Sequence, residues 1–82
     1  MPNTPPKALV TLYVVPGCPL CADARAWLDQ HGVNYIERDV ANDFGALRAM
    51  YRLTQQGLVP VFEANERALV RPTDEELAEF LW

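Results

Sequence analysis

Lysine is almost missing from this chain: Lys7 is the single one, and the six arginines are scattered from Arg25 to Arg71. With a net charge of −4 over 82 residues, no basic stretch is available to neutralise a phosphate backbone. A nucleic-acid surface is therefore not expected. Cysteine is nearly as scarce, with only Cys18 and Cys21, three positions apart. That rules out a disulfide-dense scaffold, and a bridge closing so small a loop adds little chain-entropy stabilisation. One histidine, His31, completes a donor set too small for a four-ligand structural zinc site in one chain. Residues 1–7 hold three prolines and no apolar core, so neither a secretory leader nor a membrane span is expected there.

Half of the residues are apolar, with Trp, Tyr and Phe all represented. A chain of this length buries somewhat more than ~60% of its unfolded surface, enough for one thin-cored domain. The expectation is a flexible tail over residues 1–7 and a single domain over residues 8–82, with no repeat or linker dividing it. Without a secretory signal the expected compartment is cytoplasmic, where a lone Cys-x-x-Cys is catalytic or metal-binding more often than structural.

Residues 8–15, Ala-Leu-Val-Thr-Leu-Tyr-Val-Val, form a nearly unbroken β-branched and aromatic run, the pattern of a central strand covered on both faces. Pro16-Gly17 turns the chain, and a helix is predicted from about Pro19 to His31, with Leu20, Ala24, Trp27, Leu28 and His31 along one side. Gly32 is placed to end it in a left-handed cap. Residues 33–40 read as a strand nearer the sheet edge, so strand, helix and strand imply a right-handed parallel crossover. Asn42 or Asp43 caps a second helix carrying Phe44, Leu47, Met50 and Tyr51 at helical spacing and fading near Thr54. Residues 58–63 and 67–70 read as a hairpin, and Thr73 to Glu76 as a capping box opening a last helix with Leu77, Phe80 and Leu81 inward. Trp27, Phe44 and Phe62 are expected in the core. The order is β-α-β-α-β-β-α, an α/β layer with a four-stranded mixed sheet and three helices.

Chemistry concentrates at Cys18-Pro19-Leu20-Cys21. A thiol at a helix N-terminus meets unpaired backbone N–H groups and the positive end of the macrodipole, which favours its thiolate. Pro19 suits the first helical position, where its missing N–H has no intrahelical partner. Cys21, one turn further, returns to the same face and lies within reach of a disulfide with Cys18. With no lysine or histidine nearby, the helix terminus is expected to do most of the thiolate stabilisation, a modest depression toward the ~3.5 to 7.5 range known for such thiols. His31, at the far end of the helix, lies about 15 to 20 Å from Cys18 at helical rise. It reads as a complement to the helix dipole rather than a base or ligand. Arg48 and Arg52, one turn apart, read as a solvated face able to receive a carboxylate.

In element order, in this strand-to-helix Cys-Pro-Leu-Cys and in Val59-Pro60 some forty residues later, the chain resembles the glutaredoxin branch of the thioredoxin superfamily. The resemblance spans nearly everything after the tail. It implies the thioredoxin-like fold, a cis peptide at Val59-Pro60 beside the dithiol, and thiol-disulfide exchange with Cys18 attacking and Cys21 resolving. Pro19, Leu20, Val59, Pro60, Thr73 and Asp74 are the implied substrate-binding residues, with Leu20 and Val59 as an apolar rim. The implied partners of a monomer are a protein or low-molecular-weight disulfide, and glutathione or a thioredoxin reductase as electron source, with no bound cofactor. Two departures concern glutathione. Val15 stands where a basic residue usually precedes the first cysteine, and Val70-Arg71-Pro72 where a Gly-Gly usually follows the last strand. These make the chain similar to the glutaredoxin-like proteins that thioredoxin reductase reduces, among them electron donors to ribonucleotide reductase. The alternative is a metal or iron-sulfur module, with Cys18 and Cys21 completed by a second chain or an external thiol.

Overall fold

The computed structural model describes residues 9–82. The predicted tail at residues 1–7, and Ala8 of the first predicted strand, lie outside the described residues. The elements run β1 (Val10–Val14), α1 (Pro19–Gln30), β2 (Tyr35–Asp39), α2 (Phe44–Thr54), β3 (Val61–Ala64), β4 (Arg67–Val70) and α3 (Asp74–Leu81). The sheet order is β2-β1-β3-β4. β1 pairs parallel with β2 and antiparallel with β3, which pairs antiparallel with β4. The predicted thioredoxin-like α/β architecture is therefore the observed one. β1 is central, and Val10, Leu12, Tyr13 and Val14 are all buried, as expected of a strand covered on both faces.

Local chemistry sets the boundaries. Gly32, at φ +65°, supplies the left-handed step after α1. Asp43 rather than Asn42 caps α2, its side chain accepting from the Ala46 amide at 3.1 Å. Thr73 and Glu76 form the reciprocal capping box of α3. The β3–β4 hairpin turns through Asn65 and Glu66, both at positive φ, a pair that matches the right-handed twist of the flanking strands.

Two expectations are corrected. β3 begins at Val61 rather than residue 58: Pro60 has no N–H for a ladder, and Leu58 is exposed. On α2 the buried stripe is Ala46 and Met50, whereas Phe44 is 72% exposed and no core residue. Phe44 is the first residue of its helix, directly after the cap, and stands at the rim of the packed stripe. Trp27 and Phe62 are buried as expected. Trp82 packs edge-on against Trp27, with ring centroids 6.2 Å apart. Among the described residues no helix is long and apolar enough to cross a membrane.

Candidate dithiol site

Strand register brings three chain segments to one end of the sheet. Tyr13 of β1 faces Val61 of β3, which faces Val70 of β4. Residues just after β1, just before β3 and just after β4 therefore meet: the Cys18 turn, Val59-Pro60 and Arg71. Gly17, at φ +74°, makes the reversal from strand to helix. Cys18 follows in extended conformation as the N-cap of α1, with Pro19 in the first helical turn. The Cys18 Sγ takes the role that a serine or aspartate oxygen has in an ordinary cap: it accepts from the Cys21 amide at 3.1 Å. No acidic residue occupies the first turn of α1 to oppose a negative sulfur.

The two cysteines are not joined in a disulfide and sit in unlike surroundings. Cys21 is fully buried and Cys18 partly accessible. The hydrogen bond from the Cys21 thiol, with the backbone N–H groups of Cys21 and Leu20 and the charge of Arg71, holds the Cys18 thiol below its ordinary value against the opposing effect of burial. Burial, then the hydrogen bond to Cys18, pushes Cys21 up to about 11. Of the two thiols, Cys18 therefore loses its proton first and Cys21 keeps its own to higher pH. The partner thiol joins the N–H groups of the helix terminus in lowering the Cys18 thiol, a contribution the sequence expectation did not include.

Arg71 is the functional residue that sequence reasoning missed. It figured only as a replacement for a glycine pair, yet it holds the opposite wall of the site. Its Nε donates to the Val59 carbonyl at 2.7 Å and its amide to the Pro60 carbonyl at 3.1 Å. It does so at φ +46°, the left-handed region that side-chain-bearing residues rarely enter. The Val59-Pro60 peptide is cis, as the resemblance implied. A cation after the last strand, at the end where the sheet register converges, was the signal that could have identified Arg71.

Apart from Pro19, which opens α1, the expected substrate-binding residues divide into three groups. Leu20, 46% exposed, forms a rim beside Cys18. It lines, with Asp23, Trp27, Pro60, Arg71 and Asp74, a groove of about 240 Å³. Val59 is 6% exposed, so its side chain belongs to the core and not to a rim. Thr73 has both its hydroxyl and its amide engaged in the cap of α3, which leaves Asp74 as the member of that pair that reaches the groove. His31 is remote from the dithiol, at the C-terminal end of α1. Among the described residues, no cluster of three or more His, Cys, Asp or Glu side chains is arranged to hold a metal ion.

Comparison with known proteins bears on these features. The glutaredoxin family model matches residues 10–69. Over 62 residues the chain is 29% identical to global transcriptional regulator Spx 2 of Bacillus cereus and 35% identical to global transcriptional regulator Spx of Bacillus subtilis. Each match covers 72% of this chain and 47% of the relative, so the chain spans about half the length of these proteins. The crystal structure of the thioredoxin-like protein BC3987 superposes with a TM-score of 0.80 at 24% identity, covering 88% of this chain and 99% of the other. The glutaredoxin of Archaeoglobus fulgidus superposes with a TM-score of 0.75 at 19% identity, covering 89% and 85%. The structural likenesses concern the fold alone, and the family match includes the dithiol turn and the cis-proline loop. The chain belongs to the glutaredoxin family.

Proposed function

We propose that the protein is a dithiol thiol-disulfide oxidoreductase that reduces protein or low-molecular-weight disulfides through Cys18 and Cys21. The observation that carries this reading is the placement of two neighbouring thiols, Cys18 partly accessible as the cap of α1 and Cys21 buried one turn inside it, with burial and contacts that lower the first and raise the second. The Cys18 thiolate attacks one sulfur of a substrate disulfide, forming a mixed disulfide; the other substrate sulfur leaves as a thiolate and takes up a proton. Cys18 is then neutral. The hydrogen bond to its thiolate and its charge, two of the three influences that raise Cys21, vanish together. Cys21 now loses its proton more readily and attacks the Cys18 sulfur, releasing the second substrate thiolate and leaving a Cys18–Cys21 disulfide. The two electrons delivered to substrate are restored by an external dithiol or thiol reductant.

Glutathione and a thioredoxin reductase are the two candidate reductants. The absence of a basic residue at Val15 and the occupation of the Val59 carbonyl by Arg71 support the reductase. Oxidised protein is offered NADPH with thioredoxin reductase and, separately, NADPH with glutathione and its reductase, while NADPH absorbance is followed. Reduction by thioredoxin reductase with little or none by glutathione is the expected result. Failure of both overturns the carrier reading.

A further inference from the structure

The outward face of α2 carries a second feature, separate from the dithiol. Phe44 and Tyr51 are 72% and 55% exposed, and with Leu47, Arg48, Arg52 and Gly57 they line a shallow groove. The Arg48 guanidinium lies 6.0 Å from the Phe44 ring centroid. No carboxylate among the described residues pairs with Arg48 or Arg52, and α2 contains no Asp or Glu. On a chain of net charge −4 this is a cationic, aromatic island.

We propose that this face is a docking surface for an acidic segment of a partner protein that seats one aromatic or aliphatic side chain between Phe44 and Tyr51. Arg48 and Arg52 are one helical turn apart, the spacing that meets carboxylates on successive turns or in an extended acidic run. Exposed aromatic rings next to arginine are the groups that most often anchor protein contacts. A symmetric contact with a second copy would set both arginines against their own images, a like-charge arrangement that costs affinity. Nucleic acid and anionic lipid fit poorly, because two cations release few counterions and the remaining surface is acidic. Gly57, which lines the groove, lies two residues before Val59 in the chain. The proposal concerns binding and does not depend on the redox activity of Cys18.

The test uses a fluorescein-labelled short peptide of Glu and Asp residues built around one Phe and one Leu. Its binding to the whole chain is followed by anisotropy at low salt, and amide shifts of the unmodified protein are mapped by NMR. Saturable binding is expected, with shifts concentrated between Phe44 and Gly57. Arg48→Glu with Arg52→Glu should weaken it about tenfold or more, and Phe44→Ala about threefold or more. All three positions are solvent-facing, and the shift map needs no variant. Absence of saturable binding, shifts located elsewhere, or indifference to the double charge reversal overturns the proposal. So does tighter binding of a single-stranded DNA of equal charge, or self-association in sedimentation that Phe44→Ala removes.

Discussion

The two ends of α1 are finished in opposite ways. At the N-terminal end a sulfur takes the place of a capping oxygen, and the partly accessible Cys18 accepts from the Cys21 amide. At the C-terminal end the Trp27, Leu28 and Asp29 carbonyls all have partners. The Trp27 carbonyl accepts both the His31 amide at 3.1 Å and the His31 Nδ1–H at 2.7 Å. The Val33 amide returns to the Leu28 carbonyl at 3.0 Å, and the His31 and Trp27 rings stack at 3.9 Å with Trp82 against them. One end keeps its polar groups available to a reacting atom, and the other saturates them against the core. A short helix can thus be anchored at one terminus and chemically open at the other.

Substituting the open end separates chemistry from stability most sharply. Cys18→Ser should lower disulfide exchange by roughly a thousandfold or more, since a hydroxyl is no substitute for a thiolate nucleophile. Cys21→Ser should leave the first attack intact and trap a mixed disulfide, visible as a mass adduct. Iodoacetamide should alkylate Cys18 with a midpoint below that of an ordinary thiol, and Cys21 only toward pH 11. Burial of Cys21 also makes a stability statement. Between its ordinary 9.0 and its folded value of about 11, the folded chain keeps a proton that the unfolded chain has lost. The reduced protein therefore loses stability as pH rises through that window. Denaturant titrations of Cys21→Ala should show a shallower alkaline decline than the parent.

At the closed end the effects should appear in folding instead. Trp27→Ala removes the ring on which His31 and Trp82 pack and should cost about 3 to 4 kcal/mol in urea unfolding. Arg71→Leu returns to the open end with a smaller effect. Cys18 loses a favourable charge and the Val59 carbonyl its donor, so alkylation at neutral pH should slow about two- to fivefold and its midpoint move upward. His31→Ala should cost about 0.5 to 1.5 kcal/mol for the lost stack, with the Cys18 alkylation profile unchanged. A change in that profile would show that the two ends communicate.

The open end was legible in the sequence because its determinants are local. Gly17, Cys18, Pro19 and Cys21 fix a turn, a cap and a first helical residue within one short stretch, and the capping box at Thr73 and Glu76 is equally short-range. The order of elements followed from apolar runs, helical periodicity and the turn and cap residues between them. What stayed hidden depends on packing between distant segments. The β3–β4 hairpin was legible, but the bonds from Arg71 back to the Val59 and Pro60 carbonyls join residues twelve and eleven positions apart, and no local pattern carries them. Met50 is buried as its spacing predicted, but Phe44 and Tyr51 are exposed and Ala46 is taken up beside Met50. The sequence pattern specified the period of that stripe and its centre at Met50, but not its edges.

The sulfur cap of α1 also sets a direction for electrons. The hydrogen bonds that hold the Cys18 thiolate exist in full only while that sulfur carries charge. Joining it to Cys21 removes the charge and weakens the cap, so the oxidised form gives up stabilisation that the reduced form keeps. In a thermodynamic cycle, stabilising the reduced partner raises the reduction potential of the couple. The more firmly the helix end holds its thiolate, the more readily the disulfide accepts electrons and the weaker the protein becomes as a donor. A capping contact of 3.1 Å therefore helps set the protein's rank among thiol couples as well as its reactivity.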